Sequence, residues 1–294
     1  IYLMKTIKYL IEAIFIYICF IFIKLIGLNN GRHFFSYIFN IIGPLIKSKK
    51  TINSNLEKIK VSYDDKKKKE ITFNMWSNYG MTFVEYLYLN KFRNNKFSNL
   101  HINIKGQNFL DKIIKDDKPV IFVSGHFANF ELMSMELTKQ KINLATIYRP
   151  LNNFFLNPFM EYVRRKYVCK NQIKKGLKGI RDSVNYLNNN YSIALMIDQR
   201  VSEGEKLPFF NSKAWTTTLP AKIALKYKCD IVPVYIAREK NNNFKMEIYN
   251  PIKTNEKDNT EENKIKISLT LNKIIEEMIL KDPSQWILTH NRWK

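Results

Sequence analysis

The 294-residue sequence has few of the residues that indicate a metal site or a disulfide scaffold. It contains four histidines and only three cysteines, Cys19, Cys169 and Cys229. The cysteines are odd in number and widely spaced, and they lack metal-ligand spacing, which argues against a disulfide framework and a zinc site. We therefore expect a reducing, cytoplasm-facing location, no bound metal and no cofactor.

Acidic residues are also scarce. The chain has 26 Asp and Glu against 48 Lys and Arg, a formal net charge of +22. This excess is typical of nucleic-acid-binding proteins, but here the lysines are scattered and mixed with Asn and Ile. The one dense run, residues 66–69, is typical of a solvated helix start. We expect no nucleic-acid partner. A basic surface would also suit anionic lipid headgroups, phosphorylated substrates or an acidic protein.

Charged residues are absent from one stretch near the amino terminus. Residues 13–23 are wholly apolar, and the longer stretch 9–28 has the length of a membrane-spanning helix, about 20 residues. Lys24 can extend its amine to the interface, and Glu12 lies close to the edge. A buried core helix is the alternative. More lysines and arginines follow the stretch than precede it, which predicts a single pass with the main domain in the cytoplasm.

These observations divide the chain into a membrane anchor, residues 1–28, and one large domain, residues 29–294. Residues 34–45 are apolar and predict a helix that lies at the membrane surface or against the domain. Residues 66–89 predict a long helix, whose aromatic stripe is more typical of a core than of a cofactor site.

The rest of the domain alternates between strand and helix patterns. This alternation predicts an α/β sandwich around a mainly parallel sheet. The predicted strands are residues 120–123, 144–148, 192–197, 231–236 and 244–249. The predicted helices are residues 132–140, 158–167, 179–187, 219–227 and 261–279.

The most informative motif lies at the turn after the first predicted strand of this domain. The sequence Ser-Gly-His-Phe-Ala-Asn-Phe-Glu covers residues 124–131 and places His126 in the turn and Glu131 in the first turn of a helix. The two side chains can converge there, and the carboxylate would orient the imidazole as a general base. Alternatively, Glu131 complements the helix dipole and His126 is an ordinary turn residue.

Two further clusters follow predicted strands, where open α/β sheets bind their ligands. Arg149 precedes Pro150 at the end of the strand 144–148, where its guanidinium could bind a phosphate or an oxyanion, or simply cap a surface loop. Asp198 and Gln199 follow the strand 192–197, and a charge directly after an apolar run must be solvated, paired or functional.

Taken together, these motifs resemble the lipid A acyltransferases of Gram-negative bacteria, the late lauroyl- and myristoyl-type enzymes. That family carries Gly-His-Phe-Gly-Asn-Trp-Glu at the turn, followed by Arg-Pro, Asp-Gln and Pro-Phe-Phe-Gly motifs and a Trp- and Arg-rich end. Here Ala128 and Asn211 stand for glycines, and Phe130 stands for tryptophan. The resemblance covers nearly the whole chain.

The resemblance implies a membrane-anchored enzyme that transfers a fatty acyl chain from acyl carrier protein to a hydroxyl of a phosphorylated lipid A precursor at the inner membrane. His126 and Glu131 match the catalytic pair of the family motif. From their positions at strand ends, we expect Arg149 to bind a phosphate or the oxyanion and Asp198 and Gln199 to line the acceptor side. None of the three cysteines lies beside a predicted strand-end histidine, which argues against an acyl-cysteine intermediate.

Two other functions stay open at this point. A glycerophospholipid acyltransferase uses a similar His-x4-acid pair, but its Pro-Glu-Gly motif has only a weak counterpart in residues 202–204, which lack the proline. A basic, non-catalytic membrane- or nucleic-acid-binding protein would bind independently of His126 and in a salt-sensitive way.

Overall fold

A computed structural model describes residues 2–59, 62–94, 102–254 and 260–294. A seven-stranded, mainly parallel sheet lies at its centre, in the order β1-β9-β8-β2-β5-β3-β4, and β8 and β9 are antiparallel. The strands are β1 (Ile102–Lys105), β2 (Ile121–Ser124), β3 (Leu144–Tyr148), β4 (Asn171–Lys174), β5 (Ser192–Met196), β8 (Ile231–Arg238) and β9 (Phe244–Ile248). A separate hairpin joins β6 (Glu205–Phe209) to β7 (Ser212–Thr216).

Helices cover the sheet and extend beyond it at the amino terminus. They are α1 (Tyr2–Ile46), α2 (Lys49–Ile59), α3 (Asp65–Glu85), α4 (Leu89–Arg93), α5 (Gln107–Asp116), α6 (Glu131–Lys139), α7 (Asn157–Val163), α8 (Leu177–Asn188), α9 (Leu219–Tyr227) and α10 (Glu261–Lys281). A π-helical turn, Arg164–Val168, follows α7. The predicted α/β class with a mainly parallel sheet is confirmed.

The sheet is buried on both sides because its central strands are continuous apolar runs. Every residue of β2 is buried, as are four of the five residues of β5. One apolar cluster packs α3, α9 and α10 against one face, and a second packs α4 and α6 against the other. The core therefore fixes the strand ends on which the site residues lie.

Helix α1 consists of two arms that meet at Gly27, whose φ of 83° and ψ of 175° are not helical. The first arm contains the predicted anchor and is long and apolar enough to cross a membrane. Its inner face packs on the domain through Tyr9 against Phe154 and Phe20 against Phe159.

The second arm packs closely on α3. A Cβ at Gly80 would lie 2.2 Å from the backbone oxygen of Phe35, and one at Gly43 would lie 2.4 Å from the Trp76 ring. Glycine at these two positions lets the helices touch. The predicted helix 34–45 is thus found, as the second arm of α1, with one face against the domain.

Candidate active site

The turn between β2 and α6 is shaped by two residues with unusual backbone requirements. A Cβ at Gly125 would lie 2.6 Å from the Phe127 ring and 3.2 Å from the Cβ of Asp198. Ala128 has a φ of 44°, in the left-handed region that favours glycine. Its amide donates to the Gln285 carbonyl oxygen at 2.9 Å, so the carboxyl-terminal segment helps to hold the turn.

The structure brings together two site residues that lie 72 positions apart in the sequence. Because β2 and β5 are neighbouring parallel strands, their carboxyl ends place His126 beside Asp198. The imidazole Nδ1 lies 2.7 Å from Asp198 Oδ1, and the His126 backbone amide donates to Oδ2 at 2.9 Å. The carboxylate therefore holds both the backbone and the ring of the histidine.

Trp286 completes the environment of Asp198. Its indole Nε1 donates to Oδ2 at 2.8 Å, and the Asp198 side chain is fully buried. Burial alone would raise the pKa of Asp198, but the facing His126 and the hydrogen bonds from His126 and Trp286 lower it to about 2. An ionised Asp198 accepts a hydrogen bond from the Nδ1–H of His126, which leaves Nε2 with the lone pair that a general base needs.

The other side of the imidazole is partly open. The His126 side chain is 20% exposed, and its ring contacts Phe130 edge to face at a centroid distance of 4.7 Å. Phe130, which stands where the family motif has tryptophan, therefore limits the rotation of the ring by direct contact. The geometry can position one nitrogen of His126 toward a substrate hydroxyl.

Glu131 lies elsewhere than the predicted dyad requires. Its Oε1 accepts hydrogen bonds from Nε of Arg164 at 2.7 Å and from the Tyr86 hydroxyl at 3.0 Å. No hydrogen bond links it to His126 among the residues that the structure describes. Glu131 starts α6, and its side chain is directed toward the π-helical turn after α7, whereas Asp198 occupies the position beside the imidazole.

Arg164 was not identified from the sequence. Burial alone would lower the pKa of its guanidinium, but the facing Glu131 and Tyr86 raise it above the ordinary value. The guanidinium lies 5.6 Å from the centre of the Tyr148 ring, at the end of β3. The π-helical turn that carries Arg164 has no clear sequence pattern, so nothing in the sequence indicated this residue. In the structure the turn does draw attention to it, because π-helical turns often occur at functional sites.

Arg149 and Gln199 lie at the strand ends where the sequence predicted them. Arg149 is exposed and directly follows β3. Gln199 is partly buried, and its carbonyl oxygen accepts a hydrogen bond from Arg292 at 3.3 Å. Neither residue is hydrogen-bonded to His126 among the described contacts, so their substrate-binding roles stay predictions.

Beneath the turn lies another buried carboxylate, Glu85, that the sequence analysis did not single out. Glu85 accepts a hydrogen bond from Asn129 at 3.0 Å and pairs with both Arg32 and Arg238. Burial would raise the pKa of Glu85, but the two guanidinium groups lower it. The sequence could have indicated this ion pair. Glu85 lies between Val84 and Tyr86 in the aromatic stripe of α3, and a charge in an apolar run needs a partner.

The carboxyl-terminal segment closes the site from one side. His290 Nε2 accepts a hydrogen bond from the Arg200 backbone amide at 3.0 Å, and the Asn55 side chain donates a hydrogen bond to the His290 carbonyl oxygen at 2.8 Å. Arg292 is fully buried, and burial lowers the pKa of its guanidinium to about 10 although Asp198 opposes this change. The predicted Trp- and Arg-rich ending is thus part of the structure around Asp198.

The cysteines do not form a reactive centre. Burial raises the pKa of the Cys169 thiol, and it raises that of Cys229 to about 11. Such thiols are poor nucleophiles at neutral pH. Within the part of the chain that the structure describes, no group of three His, Cys, Asp or Glu residues is arranged to hold a metal ion.

Comparison with known proteins assigns the chain to a family. A search of the curated proteins finds no match to this chain. The sequence profile described as bacterial lipid A biosynthesis acyltransferase matches residues 3–294, nearly the whole chain. The chain therefore belongs to the bacterial lipid A biosynthesis acyltransferase family and is an acyltransferase.

Proposed function

We propose that this acyltransferase moves a fatty acyl chain from the thioester of acyl carrier protein to a hydroxyl of a phosphorylated lipid A precursor, with His126 as the general base. The observation that supports this best is the His126–Asp198 pair at the carboxyl edge of the sheet, with Nε2 of the histidine left for substrate. The family gives the reaction class and the lipid A acceptor. The donor and the catalytic roles are the new part of the proposal.

In this mechanism, Nε2 of His126 removes the proton from the acceptor hydroxyl, and the hydroxyl oxygen attacks the carbonyl carbon of the thioester. A carbon–oxygen bond forms and the carbonyl becomes an oxyanion. The carbon–sulfur bond then breaks, and the imidazolium gives its proton to the departing thiolate. Asp198 stays ionised throughout and stabilises the imidazolium, as expected from its lowered pKa.

Two arginines are candidates for stabilising negative charge. Arg149 would contact a phosphate of the acceptor or the oxyanion, and Gln199 would line the acceptor side with Asp198 behind it. Glu131 would act through Arg164, since its carboxylate holds that guanidinium near the end of β3. If Arg149 uses two nitrogens at once, Arg149→Lys is a poor replacement, whereas near-normal turnover of that variant would make Arg149 a surface residue.

We further propose that residues 1–28 anchor the protein to the inner membrane as a single pass and that residues 29–294 form the catalytic domain, facing the cytoplasm. The long apolar first arm of α1 and the basic residues after it support this arrangement. The excess of 22 positive charges supports binding of an acidic carrier protein and of phosphorylated lipid.

The test is a reaction in membranes that contain the full chain. A panel of acyl carrier protein thioesters is incubated with a lipid A precursor and, separately, with a lysophospholipid, and the products are identified by mass spectrometry. We expect one added acyl chain on the lipid A precursor, and none with His126→Ala. Acylation of the lysophospholipid alone would overturn the proposed acceptor, and acylation by His126→Ala at the normal rate would overturn the proposed base.

A further inference from the structure

The second arm of α1 presents an apolar stripe to solvent. Its members are Phe34, Tyr37, Ile41 and Leu45, which lie within about 80° of one another around the helix. Tyr37 is 67% exposed and Leu45 is 82% exposed. Phe73 of α3, 60% exposed, lies across the groove between the two helices. We name these five residues the docking face.

Beside the docking face lies a cavity of about 380 Å³ between α1, α2 and α3. Asn40 and Pro44 of α1, Phe73 and Trp76 of α3, and Lys49 and Lys69 line it. Lys68 also lines the cavity and pairs with Glu57 at 3.2 Å. Asp65 is the one acid among the described residues that line this cavity, so positive charge predominates there.

Trp76 closes the inner side of the cavity. The residue is only 5% exposed, and among the described residues its indole Nε1 is buried without a hydrogen-bond partner. The groups that suit the oxygen atoms of a phosphate are the ammonium groups of Lys49 and Lys69 at the mouth of the cavity.

We propose that the docking face lies in the membrane interface and that the adjoining cavity binds the phosphate of an anionic phospholipid. Apolar side chains beside exposed lysines are the composition of a helix that lies in the interface. The docking face also follows in the chain after the first arm of α1, which is apolar enough to span a membrane, and Gly27 redirects the chain between the two. This inference rests on the membrane attachment that is part of the proposed function.

The first experiment locates the docking face in the full-length protein. In a Cys19→Ser background, Ile41→Cys carries an environment-sensitive fluorophore, and the protein is reconstituted into phosphatidylcholine vesicles that contain phosphatidylglycerol. The matched control is Ile114→Cys on α5, because Ile114 is 41% exposed and Ile41 is 49% exposed. We expect lipid-borne quenchers to reduce emission at position 41 and aqueous iodide to reduce it at position 114.

The outcomes separate this inference from the proposed function. If the protein floats with the vesicles but iodide reaches position 41 as readily as position 114, the docking face is wrong and the anchor is retained. If the protein does not float with the vesicles, membrane attachment and the docking face are both wrong. Acyl transfer measured on the same vesicles tests the enzyme separately, because Ile41 is not part of the catalytic site.

The second experiment tests the phosphate site. Lys49→Gln with Lys69→Gln is compared with Lys112→Gln with Lys115→Gln, two exposed lysines of α5. In detergent, binding of short-chain phosphatidylglycerol is expected to weaken roughly fivefold per lysine removed in the first pair and to stay unchanged in the second.

If the two double-lysine variants bind short-chain phosphatidylglycerol equally well, the cavity is not a phosphate site. Binding of inorganic phosphate with the same affinity as the short-chain lipid would overturn the assignment to a membrane lipid. A melting curve for each variant distinguishes lost binding from lost folding.

Discussion

Asp198 and Glu131 are buried carboxylates on two sides of the same turn, and they hold different partners. Asp198, 72 residues from His126 in the sequence, binds the imidazole and its backbone amide. Glu131, only five residues away, binds Arg164 and Tyr86. The comparison shows that pairing at this edge is decided by which strands are neighbours in the sheet. Asp198 is placed to orient the imidazole of His126, and Glu131 is placed to hold the guanidinium of Arg164.

The largest effect is expected from removing the base itself. His126→Ala leaves Asp198 without a histidine to orient, and we expect acyl transfer to fall by roughly 10²- to 10⁴-fold or more. His33→Ala, at an exposed position on α1, is the matched control. Binding of acyl carrier protein should persist in both variants. Wild-type turnover by a folded His126→Ala protein would contradict the assignment.

Glu131→Gln tests whether the pair of Glu131 with Arg164 stabilises the folded protein. The substitution removes the charge that faces the buried guanidinium of Arg164, and breaking a buried pair in this way costs about 3–5 kcal/mol of unfolding free energy. Urea unfolding measures the change. Glu57→Gln, whose partner Lys68 lies in a more exposed pair, should cost less than about 1 kcal/mol. Equal losses would indicate that the Glu131 pair is not effectively buried.

A dependence of stability on acid is expected from Asp198. Its pKa of about 2 in the folded protein lies below the ordinary value of 3.8. The stabilisation is therefore complete above about pH 4 and is lost as the pH falls toward 2; it amounts to about 2 kcal/mol. The measurement is unfolding free energy against pH for wild type and Asp198→Asn. If the unfolding free energies of the two proteins depend on pH in the same way, Asp198 is not the source of the acid dependence.

The smallest effect concerns the turn that separates the two carboxylates. Ala128 adopts a φ of 44°, which costs an L-residue other than glycine about 1 kcal/mol. Ala128→Gly should therefore stabilise the protein by up to about 1 kcal/mol, less the entropy that glycine adds to the unfolded chain. Ala224→Gly, inside α9, is the control and should destabilise. A destabilised Ala128→Gly would show that the turn is not strained.

The strands and helices that carry the site were predictable from the sequence, because β2, β3, β5 and β8 are apolar runs bounded by turn residues. The edge strands β1 and β4 were missed, since each is four residues long and at least half of its residues are polar. The hairpin β6–β7 was missed as well; its turn contains Asn211, which stands for a glycine of the family motif and has a φ of 58°.

The partners of the site residues were less predictable than the residues themselves. His126 and Asp198 were each found from local patterns at strand ends, but their contact depends on β2 and β5 being neighbours, which strand patterns alone do not fix. Trp286 reaches the same carboxylate from the end of the chain. Arg164 depends on a π-helical turn, where the sequence predicted the continuation of an ordinary helix.

The most direct test of this account is a pair of double-mutant cycles on acyl transfer. The first combines His126→Ala with Asp198→Asn, and the second combines His126→Ala with Glu131→Gln, with kcat/KM measured for every variant. If Asp198 acts only through the imidazole, Asp198→Asn is severe alone but adds little to His126→Ala, because residues that act as a unit are not additive. The account predicts that outcome for Asp198 and a separate, multiplying loss for Glu131. The reverse pattern, with Glu131 silent once His126 is removed and Asp198 still costly, would contradict it.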